Sequence, residues 1–214
     1  MTRNNHAVRP RLERFCNWVL TAGSDELSRR FAAYQFDRGV SWQPSNHAKR
    51  RHLLELFHSR GHRTLIESGT YLGDTVAFFV GRADQILSVE LDPRLYDRAV
   101  DRFSGESSVT IHHGDALRAI PQLVGASPDA PLVWLDGHFS GEGTAAGELE
   151  EPAPALLSSL AAVAPAGSTI VVDDLRLFGA VPDYPSLHEL VDAAYQAFPS
   201  ARIRVGLDAL VIEL

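Results

Sequence analysis

Sulfur is almost missing from this chain, which has one cysteine and one methionine in 214 residues. A lone Cys16 excludes an intrachain disulfide and fits a reducing compartment. It lies on an apolar helical stripe, where packing is the expected role. No apolar run approaches the ~20 residues needed to span a bilayer, so no membrane partner is expected. Met1 to Pro10 is polar, without the apolar centre of a secretory leader, and a cytoplasmic protein is expected. Basic residues are scarce beyond the first third of the chain. Residues 1–63 carry 12 Lys and Arg against 5 Asp and Glu, a net of +7, whereas residues 64–214 carry 8 against 22, a net of −14. A body that acidic argues against binding nucleic acid through its phosphates. The basic head could dock on an acidic neighbouring subunit, attract an anionic ligand, or be a solvated helical face.

Length and an apolar content of 45% suit one α/β domain with an extension. Leu12, Phe15, Cys16 and Val19 repeat at helical spacing, and a second helix is expected from Ser24 to Gly39. A third is expected from Asn46 to Ser59, stopped by Gly61. Strands then alternate with helices. Strands are expected near 64–68, 86–91, 109–112, 131–135 and 168–173, and helices near 74–83, 93–103, 116–124, 152–164 and 186–198. Arg202–Val205 and Ala209–Glu213 are close enough to form a closing antiparallel hairpin. The expectation is a doubly wound, Rossmann-like, mostly parallel sheet over residues 46–214, preceded by a helical extension over 1–45. Two long loops, His138–Glu151 and Leu175–Pro185, follow strand ends, where open α/β sheets bind ligands, and read as lids.

The most informative stretch is Glu67-Ser-Gly69-Thr70-Tyr71-Leu-Gly73-Asp74-Thr75. Gly69 permits a turn with positive φ and close approach of a ligand to the main chain, and Asp74 or Thr75 is the expected helix cap. The Gly-x-Gly-x-x-Gly spacing of dinucleotide sites is missing, and so is the Gly-Lys-Ser/Thr ending of a P-loop. A carboxylate in that position suits a ligand with a cationic end. S-adenosylmethionine, with an ammonium, a sulfonium and no phosphate, meets that description. Glu90, at the end of the second expected strand, can accept hydrogen bonds from both hydroxyls of an unphosphorylated ribose. Asp115 follows the third strand, beside the expected adenine. Asp136 follows the fourth, and Asp173-Asp174 the fifth.

Asp136, Asp173 and Asp174 converge if their strands are adjacent. Three carboxylates at one point repel one another unless a cation neutralises them or one stays protonated. Oxygen ligands of this kind favour Mg²⁺ or Mn²⁺, and the alternative is that one aspartate caps the next loop. His138, two residues beyond Asp136, can take a proton near neutral pH. Of the other histidines, His47, His52, His58 and His62 are expected at the surface, as is His188. Between His112 and His113, one is expected to face the core and the other the site.

In series, these residues resemble a class I S-adenosylmethionine-dependent methyltransferase over roughly residues 64–214. The resemblance implies cofactor contacts at Glu67, Gly69, Thr70, Tyr71, Gly73, Glu90, Leu91, Asp115, Ala116 and Asp136. Leu135-Asp136-Gly137 and Val172-Asp173-Asp174 are similar to the macrocin O-methyltransferase family, whose corresponding aspartates hold Mg²⁺. That family commonly has Leu-Asp-Gly-Asp where this chain has Leu135-Asp136-Gly137-His138. The stretch from Asp136 to Thr144, with Asp183 to Leu187, resembles a further bacterial methyltransferase group. The implied activity is metal-assisted O-methylation of a small hydroxylated acceptor, such as a sugar or natural-product hydroxyl. Asp136 and His138 are the expected catalytic pair, His138 from its place and pKa, in a homo-oligomer, expected to be a dimer, with no nucleic-acid partner. Metal-free transfer to an amine or carboxylate, and a non-catalytic nucleoside-binding module, are the competing expectations.

Overall fold

The computed structural model describes residues 44–136, 151–181 and 184–214. The helices expected before residue 40, the loop from Gly137 to Glu150, His138 within it, and Asp183 lie outside the described residues. The chain divides into two compact units, Met1–Leu53 and Leu54–Leu214, with the division inside helix α1 (Asn46–Ser59).

Strands and helices alternate in the second unit: β1 (Thr64–Ser68), α2 (Asp74–Phe79), β2 (Gln85–Glu90), α3 (Pro93–Arg102), β3 (Val109–His113), α4 (Ala116–Ala126), β4 (Leu132–Leu135), α5 (Ala153–Leu160) and β5 (Thr169–Val172). A 3₁₀ turn (Leu175–Leu177), α6 (Leu187–Ala197), β6 (Arg202–Gly206) and β7 (Ala209–Glu213) complete it. The sheet order is β3-β2-β1-β4-β5-β7-β6, with β7 antiparallel to both neighbours and the remaining pairs parallel. The expected Rossmann-like sheet with a closing hairpin is therefore present. Winding reverses between β1 and β4, the switch point at which such sheets open a crevice beyond the strand ends.

Alternation along the strands covers both faces. Ile66, Leu87, Val133, Leu135, Ile170, Val172, Leu210 and Ile212 share a core with Ile120 and Val124 of α4, Leu156, Leu157 and Leu160 of α5, and Leu190 and Ala194 of α6. Residues of the opposite parity, such as Leu65, Ile86, Leu132 and Val171, are fully buried as well. Each such side chain contributes roughly 1.5–3 kcal/mol. Strands buried on both faces account for continuous apolar runs such as Leu132-Val-Trp-Leu135.

Local chemistry sets the helix starts. Asp92 accepts from the amides of Arg94 and Leu95 ahead of Pro93 at the first turn of α3. Ser186 and Glu189 form a reciprocal capping box on α6. Helix α2 corrects an expectation. Its cap position is Gly73, at φ 77°, with no side-chain cap bond. Asp74 instead pairs with Arg102 at 3.1 Å. The helix also stops at Phe79, short of residue 83, because Gly81 turns the chain with φ 71°.

A second correction concerns His62, expected at the surface. It is 7% exposed. Its Nδ1 lies 2.8 Å from the Ala130 carbonyl and its Nε2 2.9 Å from Thr169 Oγ1, which fastens the segment after α1 to β5 and the residues before β4.

Candidate active site

The turn after β1 is closed on itself. Gly69 has φ 85°, and the amides of Gly69 and Thr70 both donate to the Val89 carbonyl, at 2.9 and 3.3 Å. Tyr71 donates its amide to Glu90 Oε2 at 2.7 Å, and Gly73 donates to the Thr70 carbonyl at 2.8 Å. These four amides are engaged inside the turn, so they make no cradle for a pyrophosphate, unlike the loops that bind dinucleotides. Gly73 is required sterically: a Cβ there would come within 2.7 Å of Phe103 Cε2. Tyr71 adopts φ 49° with its ring exposed, a left-handed conformation uncommon for a non-glycine residue.

Beneath the turn, Glu67 is 2% exposed. Ser88 Oγ donates to Glu67 Oε2 at 2.6 Å; Thr70 Oγ1 lies 2.6 Å from Ser88 Oγ and is the donor of that pair, since the one Ser88 hydroxyl proton is committed. Glu90 is 6% exposed, and its other oxygen accepts the Asp92 amide at 2.9 Å. Two backbone donors thus fix this carboxylate at the end of β2, with Leu91 directly beyond it. Asp115 caps α4, accepting the Leu117 amide at 2.8 Å just ahead of Ala116. His113 is exposed, with its Nε2 3.2 Å from the Leu91 carbonyl and its ring 5.0 Å from that of Tyr96. His112 buries Nε2 without a hydrogen-bond partner among the described residues.

Across the switch point the expected convergence of aspartates is present. Leu135 pairs with Val172, and the ladder runs on as Asp136 donates its amide to the Ser68 carbonyl at 3.3 Å and Asp173 donates to Leu135 at 3.0 Å. Asp136 and Asp173 are thereby side by side. Asp174 turns back with φ 55°, a conformation that aspartate tolerates. Carboxylate oxygens of the three lie within 4.8 Å of one another.

Four further residues at this end were not assigned a role by the sequence pattern. Arg176 Nη1 donates to Asp174 Oδ1 at 2.6 Å and also to Asp208 Oδ2. Glu151 is held by the Ala153 amide at 2.9 Å. Burial, with a smaller contribution from the Asp174 charge, pushes its carboxyl up to about 7, against that hydrogen bond. Tyr184 packs edge-on to Phe178, and its phenol is raised by burial and then by the charges of Glu151, Asp174 and Asp136. The signals were weak ones: an acid directly before the Pro152-Ala-Pro helix start, an arginine two residues after paired aspartates, and an aspartate in a tight hairpin. The second expected lid is in part a fastened turn, with Leu177 donating to Asp174 at 2.8 Å and Gly179 to Pro185 at 2.9 Å.

The residues present fit both implied groups. A turn with its amides consumed, beside two prepositioned carboxylates, suits a cationic nucleoside without phosphates. Clustered hard oxygen donors suit a divalent cation. Among the described residues no helix is long and apolar enough to cross a membrane.

No protein-family model matches the chain. Short stretches match curated sequences named ribosomal RNA small subunit methyltransferase A. The one from Dehalococcoides mccartyi is 36% identical over 61 residues, which is 28% of this chain and 21% of that protein. That from Acidobacterium capsulatum is 32% identical over 68 residues, which is 32% and 24% respectively. The chain thus spans between a fifth and a quarter of the length of the curated relatives it matches.

Solved structures match across nearly the whole chain. One, from Staphylococcus aureus and provisionally described as a caffeoyl-CoA O-methyltransferase, superposes with a TM-score of 0.60 at 15% identity, covering 94% of this chain and 98% of that one. An O-methyltransferase from Bacillus cereus in complex with S-adenosylhomocysteine gives 0.58 at 14% identity, covering 93% and 96%. Cofactor-bound Rv0187 from MTB gives 0.58 at 20% identity, covering 100% and 98%. The fold is the α/β, Rossmann-like fold of the class I methyltransferases.

Proposed function

We propose that this chain is a class I methyltransferase that uses S-adenosylmethionine to methylate a hydroxyl of a small acceptor. The observation that carries the reading is the turn from Gly69 to Gly73, in which the amides of Gly69, Thr70, Tyr71 and Gly73 are engaged internally, beside the buried, prepositioned carboxylates of Glu67 and Glu90. With those four amides engaged, the turn itself offers little to a dinucleotide pyrophosphate and suits a cationic, phosphate-free nucleoside. Glu67 faces the ammonium end, directly or through water. Glu90 accepts from the ribose hydroxyls, and Leu91, Asp115 and Ala116 border the adenine. Gly69, Thr70, Tyr71, Gly73 and Asp136 border the methionine portion.

Bound S-adenosylmethionine supplies an electrophilic methyl on a sulfonium. A divalent Mg²⁺ or Mn²⁺ held by Asp136, Asp173 and Asp174 would lower the pKa of an acceptor hydroxyl. His138 would take the acceptor proton at an imidazole nitrogen. The rest of the rate comes from orientation and charge neutralisation. The resemblance of these aspartates to the macrocin O-methyltransferase family is the ground for testing sugar and natural-product hydroxyls as acceptors first. The protein is expected to act as a dimer in the cytoplasm.

The test is transfer of labelled methyl to a panel of small hydroxylated acceptors. Turnover is expected to fall to background in chelator and to return with Mg²⁺ or Mn²⁺. His138→Ala is expected to lower it by roughly a hundredfold. Full activity in chelator and in Asp136→Asn contradicts the metal role and favours metal-free transfer to an amine or carboxylate. The Arg176–Asp174 ion pair supports that second reading, because it already supplies one positive charge to the cluster. Cofactor binding without transfer to any acceptor would indicate a non-catalytic module.

A further inference from the structure

The charges around Asp174 do not end with the three aspartates. Arg176 places a guanidinium between Asp174 and Asp208, and its backbone amide also donates to Asp208 Oδ1 at 2.9 Å. Both aspartate side chains are 9% exposed and that of Arg176 is 25% exposed, so water screens these contacts weakly. Asp208 is held in turn. It sits with Leu207 in the two-residue connection between β6 and β7, both at positive φ (66° and 47°), the pattern of a type I′ hairpin turn. The Leu175 amide donates to the Asp208 carbonyl at 2.8 Å. The terminal hairpin therefore fixes the arginine, and the arginine fixes the left-handed Asp174.

We propose that Arg176 is the built-in counter-cation of the Asp136–Asp173–Asp174 cluster, holding Asp174 in competition with a divalent ion and so setting the cluster's cation affinity. This rests on the reading of those aspartates as a metal site. A guanidinium bonded to Asp174 offsets part of the repulsion that three close carboxylates create in the metal-free protein. The same positive charge weakens the pull on an incoming divalent ion and occupies one oxygen that would otherwise be offered to it. Arg176 is thus a positioning residue, and Asp208 moderates it by sharing its charge. Removing the arginine and removing its second partner must therefore act in opposite directions. A merely structural role has no such signature, since loosening the same turn from either side would weaken binding in both variants.

The experiment is Mn²⁺ titration of the full chain, following free Mn²⁺ by electron paramagnetic resonance, with thermal unfolding to verify the fold of each variant. Arg176→Gln is expected to lower the Mn²⁺ Kd by severalfold, approaching tenfold, while Arg176→Lys stays within about twofold of the wild type. Asp208→Asn, which leaves the guanidinium undivided on Asp174, is expected to raise the Kd by severalfold. Should Arg176→Gln fail to fold, Arg176→Met is read in its place: a lowered Kd supports the proposal, and an unchanged or raised Kd overturns it. Unchanged or weaker Mn²⁺ binding in folded Arg176→Gln also overturns it, while the metal reading stands as long as the wild type binds. Mn²⁺ binding that appears only in Arg176→Gln supports it. Absence of binding in wild type and variants alike overturns both the metal reading and this proposal.

Discussion

Glu151 shows how much of the site's chemistry resides in single side chains and their burial. Its carboxyl is raised from the usual carboxylate range to about 7, first by burial and then by the Asp174 charge. A carboxyl whose folded-state pKa exceeds its unfolded value favours the protonated fold. Its contribution is complete below about pH 4.5 and is lost as pH rises through about 7. Glu151→Gln, which keeps the shape and removes the ionisation, is therefore expected to be more stable than wild type at pH 8 in chelator, by on the order of 2–3 kcal/mol. The difference should shrink toward zero at pH 4.5, as read from urea unfolding. Equal stabilities at pH 8 would contradict it. This residue also marks a limit of sequence reading. An acid at the start of a helix looks like an ordinary cap, and only the fold reveals that Asp174 and Tyr184 share its surroundings. Glu90 was legible because its place at a strand end, with an acidic residue's length and spacing, is local information. Arg176 was not, because the partner that makes it informative, Asp208, lies 32 residues away.

At the scale of elements, the alternating strands and helices followed from hydrophobic runs and punctuation, and their boundaries lie mostly within a residue or two of expectation. The largest departures have local causes, such as Gly81 ending α2 early. Which strands would be neighbours depended on winding, so convergence of Asp136 with Asp173 stayed conditional until β4 was seen beside β5. His62 is buried against local expectation for a related reason. Its sequence neighbours Arg60 and Arg63 are basic and exposed, while its hydrogen-bond partners, Ala130 and Thr169, are distant in sequence. Burial lowers its pKa, against the opposing pull of the Ala130 carbonyl. A histidine kept neutral in the fold costs stability as the unfolded chain takes up a proton, so stability falls as pH drops through 6.5 toward the folded value. His62→Gln is expected to flatten that slope between pH 7 and 5. It is also expected to lower stability at pH 8 by about 1–3 kcal/mol through the lost hydrogen bonds. An unchanged slope would show that another group carries the pH dependence.

For the whole molecule, the switch point between β1 and β4 separates two kinds of chemistry. On the β1–β2–β3 side, Glu67, Glu90 and Asp115 lie at or near the ends of successive strands, around a turn with four of its amides engaged internally. On the β4–β5 side, three aspartates, Glu151 and an ion-paired arginine lie close together beyond the strand ends. The same architecture carries many chemistries, so function resides in these side chains rather than in the fold. The most direct measurement is isothermal titration of the purified chain with S-adenosylhomocysteine, with NAD run in parallel. Saturable one-to-one binding of S-adenosylhomocysteine, weakened at least about tenfold in Glu90→Ala, with no heat from NAD, is the predicted result. NAD binding, or no S-adenosylhomocysteine binding by a folded chain, would contradict the account.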